Sequence, residues 1–229
     1  MPRARNPQTT AAILDTAWRL FTTKGYDCSS YADIAAEVGV SRALVQKYFP
    51  KKETLVIKNL ARLRHLANVH VMQNIPDAVT PLQREYLVSQ IYIAALMSCN
   101  DARVFFRDVL RDRELTRTTI QSDARWTYGF LESNRQGLLF DEGVLEDSTA
   151  ALGALYETMY YCIVTGHEMN LQRRLLPCLE NMTRLAGCDA ETSAAVEKNF
   201  TLSSEMLSEV GRSVFAKTLT TPWSDEFDD

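Results

Sequence analysis

Between Gly39 and Phe49 stand Arg42, Ala43, Gln46 and Lys47, which share one outward face of a short helix at ~3.6 residues per turn. Together they offer a guanidinium, a methyl group, an amide and an ammonium. A glutamine amide can pair with adenine at two points in the DNA major groove, and the two cations suit phosphate oxygens or acceptors on base edges. The same short segment turns Leu44, Val45 and one of Tyr48 or Phe49 inward, so one face has a core to join and the other is left to bind.

Such a face works only if a second helix holds it at a fixed angle. Ala35, four residues before Gly39, is small where two helices press closest, and Gly39 can take the positive φ that closes a helix. Val45, six residues after Gly39, packs inward from the second helix. Ser30 and Asp33 have capping-box spacing, and Ser41 can cap the second helix through its hydroxyl. Thr9 to Lys24 places Ile13, Leu14, Ala17, Trp18 and Phe21 on one stripe, an amphipathic cover for the corner that ends at Lys24-Gly25. After Phe49-Pro50-Lys51 a long helical pattern runs from about Lys52 to Gln73. The unit is a helix-turn-helix.

The order Lys-Gly-Tyr, Ser-Ser-x-x-Asp-Ile-Ala, Gly-Val-Ser and Tyr-Phe-x-x-Lys-Glu-x-Leu, over roughly residues 9 to 58, resembles the N-terminal domain of TetR family transcriptional regulators. The resemblance implies double-stranded DNA as a partner and contacts from Ser30, Tyr31, Ser41, Arg42, Ala43, Gln46, Lys47, Tyr48 and Lys52. Two positions depart from the pattern, since Gln46 stands where the family usually has tyrosine and Ala43 where glycine is common. Operator preference therefore does not follow from the resemblance. Lys52 matches the family lysine at the start of the fourth helix, a place suited to a phosphate oxygen.

The net charge of −4 hides an uneven distribution. Residues 1–60 carry 9 Lys or Arg against 5 Asp or Glu, for +4, and the remainder carries 16 against 24, for −8. Arg3, Arg5, Arg42, Lys47, Lys51 and Lys52 can approach a polyanion while the acidic remainder stays away from it. With 229 residues, 46% of them hydrophobic, the chain can bury a substantial core without staples. There is no apolar run of membrane-spanning length and no secretory pattern in MPRARNPQTT, so a cytoplasmic location is expected, with no membrane partner. The five cysteines, Cys28, Cys99, Cys162, Cys178 and Cys188, form no C-x-x-C pair, and free buried thiols are expected rather than a disulfide framework or metal site.

Beyond residue 60 the chain reads as further helices: Pro81–Cys99, Asp101–Leu110, Leu115 to about Gln136, Leu145–Glu168, Leu171–Ala186 and Ala190–Leu219. The expected fold is all-α, with about ten helices. Residues 1–51 form the helix-turn-helix domain, 52–220 a larger effector-binding and dimerisation domain, and 221–229 an acidic tail expected to fray, unless Trp223 and Phe227 anchor it. The segment Leu145–Glu168 is apolar on several faces and includes the small residues Ala150, Ala151, Gly153 and Ala154, so it needs two burial partners. The TetR resemblance implies that this helix and a later one form a homodimer interface. It also implies a pocket for a small-molecule effector among the middle helices, for which Tyr92, Met97, Trp126, Phe130, Tyr156, Tyr160 and His167 are candidate linings, along with Tyr86 and Phe105. Glu157 and His167 stand out as ionisable groups on an apolar segment.

His65, His70 and His167 lack ligand spacing, and there is neither a nucleophile elbow nor a phosphate loop, so no enzyme activity, cofactor or metal is expected. The expected function is a ligand-responsive regulator, most simply a repressor, that binds a palindromic operator as a dimer and is released by an effector. The alternative is a helical dimer of the same fold that acts mainly through protein contacts, with weak operator recognition.

Overall fold

A computed structural model describes residues 6–75, 80–132 and 141–227, without the side chains of 130–132. The described residues form eleven α-helices, a short 3₁₀ turn and no strand. Arg3, Arg5 and the side chain of Phe130 lie outside the described residues.

Local chemistry sets the first four helices. Asn6 caps α1 (Pro7–Lys24) by accepting from the amides of Gln8 and Thr9, and Pro7 needs no partner at the first helical position. In α2 (Tyr31–Val38) the capping box is complete: the Ser30 hydroxyl accepts from the Asp33 amide at 3.2 Å, and the Asp33 carboxylate accepts from the Ser30 amide at 2.7 Å. Gly39 ends α2 with φ +76°, a conformation that costs other residues a steric clash. Ser41 caps α3 (Arg42–Tyr48), and α4 (Glu53–Asn74) runs from the head into the body. Ile34, Ala35 and Val45 are buried together with the Ile13, Leu14, Ala17, Trp18 and Phe21 stripe of α1.

The body comprises α5 (Pro81–Met97), α6 (Asn100–Arg111), α7 (Arg113–Glu132), α8 (Glu142–Thr165), α9 (Leu171–Leu185), α10 (Ala190–Phe200) and α11 (Ser204–Thr220). The helix buried on nearly all sides is α5, where every residue from 85 to 96 except Ser89 is buried. Helix α11 presses against it most closely at Gly211, where an added Cβ would stand 2.8 Å from the Ala94 carbonyl carbon. Helix α8, expected to need two partners, buries Leu155, Tyr156, Met159 and Cys162 but leaves Ala150, Ala154, Glu157, Tyr161 and Val164 exposed.

The single helix expected over Ala190–Leu219 is instead two. Gln90 of α5 fixes the break, because its side-chain amide donates to the Phe200 carbonyl and its oxygen accepts from the Leu202 amide, both at 2.9 Å. Ser203 then caps the new helix. The expectation that the tail frays is also corrected for residues 221–227, since Trp223 and Phe227 are buried and in edge contact, centroids 5.2 Å apart. The Trp223 amide donates to both carboxylate oxygens of Asp15 on α1, and Phe227 packs on His65 of α4. No described helix is long and apolar enough to cross a membrane.

Candidate nucleic-acid interface and inner cavity

Helix α3 turns Val45 into the core and leaves Arg42, Ala43, Gln46 and Lys47 exposed side by side. Among the described residues Arg42, Lys47 and Lys51 have no ion-pair partner, whereas Arg19 of α1 is paired with Glu37 of α2. A cation without a nearby acid retains its full attraction for a polyanion. The face is also held rigidly. The Tyr31 hydroxyl donates to the Phe49 carbonyl at 2.6 Å, closing the corner from the far end of α3, and the Tyr48 hydroxyl accepts from the Asn6 amide at 3.1 Å.

Lys52, expected to meet a phosphate, is half-buried. Its ammonium donates to the Tyr26 carbonyl at 2.6 Å and lies 3.9 Å from the centre of the Tyr26 ring. Burial pulls its pKa down, while Glu53 and Asp108 work against that pull. A phosphate would have to draw this ammonium away from Tyr26, whereas the adjacent Lys51 is already exposed.

In the body, the most polar interior lies where α4, α5, α7 and α8 meet. Arg64 of α4 pairs with Asp123 of α7 at 2.8 Å and reaches Glu85 of α5 at 3.4 Å; all three are buried. The other Asp123 oxygen accepts from Tyr92 at 3.5 Å and from the Tyr156 hydroxyl. Glu85 accepts from Ser89 at 3.1 Å and Thr127 at 3.0 Å through one oxygen, and its other oxygen makes no hydrogen bond. Arg64 also lies over the Tyr92 ring, 4.1 Å from its centre. Burial pulls the guanidinium pKa down, but Asp123, Tyr92 and Glu85 overcome it and hold Arg64 charged. Burial raises the Tyr92 and Tyr156 hydroxyls, and Asp123 raises them further.

An inner cavity of about 50 Å³ adjoins this cluster, walled by Arg64, Ser89, Tyr92 and Asp123 at one end and by Leu152, Leu155, Leu175, Leu179 and Met182 elsewhere. An outer cavity of about 430 Å³ lies between α4, α7 and Phe227 and is lined by Arg64, Asp123 and Trp126. Of the residues expected to line a pocket, Tyr92, Tyr156 and Trp126 thus gather around one ion pair. Met97 and His167 instead line a separate groove of about 550 Å³ formed with α9 and α11, and Tyr160 is half-buried against the core. Glu157 and His167 both face solvent: Glu157 meets Arg113 at 3.6 Å, and the His167 ring contacts the Thr165 hydroxyl at 2.9 Å. Cys178 is a packing thiol, pushed up to about 12 by burial and donating to the Ala151 carbonyl.

The sequence reading missed Arg64, Glu85 and Asp123. Arg64 falls within the apolar stripe Leu60, Leu63, Ala67 and Val71, and Glu85 shares a face with Val88 and Tyr92, so charged residues at core spacing were the available signal. Burial raises the Glu85 carboxyl, with Arg64, Thr127, Ser89 and Trp126 pulling the other way. A carboxyl whose folded pKa is raised contributes most below its unfolded value of ~4.3, and that contribution is lost as pH rises through the folded value. Glu85→Gln keeps the shape and cannot ionise, so its melting temperature relative to the parent will climb as pH rises above the ~4.3 of an unfolded glutamate. A difference that stays constant across thermal melts in this range would mean that Glu85 ionises as freely in the folded state as in the unfolded one.

A capped two-helix corner with an exposed polar and cationic face, set on a larger helical body, has the architecture of a helix-turn-helix. Residues 13–58 match the family described as bacterial regulatory proteins, tetR family. The match covers the helix-turn-helix and the start of α4, and the body beyond residue 58 lies outside it. A stretch of 48 residues is 42% identical to the uncharacterized HTH-type transcriptional regulator YuxN of Bacillus subtilis (strain 168), covering 21% of this chain and 16% of that protein. Two similar solved structures are described as tetR-family transcription regulators. The one from Mesorhizobium loti MAFF303099 has 20% identity and a TM-score of 0.45 over 81% of this chain and 98% of that one. The one from Shewanella sp. PV-4 has 17% identity and a TM-score of 0.44 over 79% and 98%.

Proposed function

We propose that the chain is a cytoplasmic transcriptional repressor that reads a palindromic operator as a homodimer and is released when a small molecule occupies the body. The observation that carries this reading is the face of α3, where Arg42, Ala43, Gln46 and Lys47 are exposed on a helix capped at its start and tied by Tyr31 at its end. In this reading Gln46 and Arg42 meet base edges. Lys47 and Lys51 meet phosphates, and Ser30, Tyr31, Ser41, Ala43 and Tyr48 border the groove. One such helix reads only a few base pairs, and a two-fold pair about one DNA turn apart reads a palindrome. The exposed stripe of Ala150, Ala154, Tyr161 and Val164 on α8 supports self-association there, since small residues allow close approach and the larger ones add apolar area. Release follows by linkage: an effector that favours the DNA-incompetent arrangement lowers operator affinity by its differential binding, ~1 to 3 kcal/mol in typical couplings.

Selection of bound sequences from random duplex DNA by the purified protein tests this reading. The parent will enrich a palindromic motif with salt-dependent affinity. Gln46→Ala and Arg42→Ala will each relax the preference at a base position in both half-sites, with a loss of ~1 to 3 kcal/mol per bidentate contact removed. Sequence-independent binding with no enriched motif would instead support a helical dimer that acts through protein contacts.

A further inference from the structure

The inner and outer cavities share two wall residues, Arg64 and Asp123, so one ion pair borders both. Its members are anchored unequally. Asp123 is held by a hydrogen bond from the Tyr156 hydroxyl of α8 and, at 3.5 Å, by that of Tyr92 of α5. Arg64 is held by Asp123, by Glu85 at 3.4 Å and by its place over the Tyr92 ring, but unlike Asp123 it sits at the end of a long, flexible side chain that also borders the outer cavity. When the pair opens, the side that moves is the guanidinium.

Charge decides what can replace it. The cluster contains two carboxyl groups, Asp123 and Glu85, and one buried base, Arg64. An incoming anion would be a third acid facing one cation that is already shared, and a buried charge without a partner is costly. An incoming cation meets a fixed carboxylate on Asp123 and, behind it, a Glu85 oxygen that makes no hydrogen bond. Lys58 and Arg125 also border the outer cavity, but Arg125 is exposed and Lys58 half-buried, where water and salt screen their repulsion. Size agrees with this picture. The inner cavity alone is far smaller than the ~300 to 1,000 Å³ of ordinary small-molecule sites, and joined to the outer one it falls within that range.

We infer that the effector is an amphipathic amine, whose ammonium takes the place of Arg64 on Asp123 while its apolar part lies among Leu152, Leu155, Leu175, Leu179 and Met182. The inference rests on the regulator reading above and names the chemistry of its effector. The same exchange supplies the coupling. Arg64 is the ionic tie between α4 and α7, and α4 leads directly from the DNA-reading head, so displacing the guanidinium frees α4 from the body at one point.

Calorimetric titration of the full chain with octylammonium, octanol and octanoate tests the proposal, since the three share one tail and differ in head charge. Octylammonium will bind about tenfold or more tightly than octanol, consistent with a charge-assisted hydrogen bond, and octanoate will bind more weakly than octanol. Asp123→Asn will remove the advantage of the amine over the alcohol, and Leu179→Trp, which fills the apolar end, will weaken all binding. Octanoate binding as tightly as the amine, equal affinities for all three, or no binding by any of them would overturn the proposal. If Asp123→Asn fails to fold, the order among the three probes on the parent protein still decides. The titration contains no DNA, so a failed order alongside an enriched DNA motif sinks the amine alone, and the right order without a motif sinks the DNA reading alone.

Discussion

Arg64→Ala will lower the unfolding free energy by about 3 to 5 kcal/mol, because it leaves Asp123 and Glu85 buried without the guanidinium that pairs with both. The expected signature is a drop in the urea midpoint with an unchanged slope, as befits a loss of stability without a change in the surface exposed. The magnitude reflects the removal of one partner, not the net worth of the pair. Replacing the whole cluster with neutral residues of similar shape, Arg64→Met with Asp123→Asn and Glu85→Gln, will therefore recover most of the loss. An Arg64→Ala protein within about 1 kcal/mol of the parent would mean that water reaches the carboxylates and that they are not desolvated.

Trp18→Ala will cost a similar ~3 to 5 kcal/mol, by a different route. Trp18 is fully buried where three helices meet: its ring lies 4.8 Å from Phe105 of α6 and 5.8 Å from Phe215 of α11, and its indole N–H donates to Thr218 at 2.7 Å. Truncation leaves a cavity at the junction of head and body that close-packed neighbours cannot collapse to fill. Trp18→Phe keeps an aromatic ring and loses mainly the hydrogen bond, at about 1 kcal/mol. Hydrogen exchange separates two outcomes: loss of protection throughout the chain shows one cooperative unit, and loss confined to α1 shows that the head opens alone.

The helix-turn-helix was legible because its determinants are local. Ser30 and Asp33 close their box within three residues, Gly39 takes its positive φ where the two helices meet, and Ala35 and Val45 point inward as their spacing requires. Where determinants lie far apart in the chain, the reading failed. The break after Phe200 depends on Gln90, 110 residues earlier, so the local pattern ran through it as one helix. Arg64 and Glu85 stand at core spacing, but nothing local tells which charges they meet until α4, α5 and α7 come together at Asp123. For Lys52, expected to meet a phosphate because it matches the family lysine at the start of the fourth helix, the local pattern gave no sign of Tyr26, which supplies both a carbonyl and a ring face to the ammonium. The tail was read as fraying because it is acidic. In the fold, the Asp15 carboxylate that receives the Trp223 amide also pairs with Arg62 at 2.5 Å, so residues beyond α11 bind to the first helix.

That tie between the first helix and the last has a consequence for how the protein is made. Trp18 and its hydrogen-bond partner Thr218 are 200 residues apart, and at ~5 to 20 residues per second a ribosome takes roughly 10 to 40 s to go from one to the other. Throughout that interval the helix-turn-helix corner has its caps and its glycine turn, but the Trp18 face of α1 has no Phe215 or Thr218 to cover it. The nascent head therefore carries an apolar patch that stays uncovered until α11 has emerged, and the helix-turn-helix gains its last packing partners long after its own residues are made.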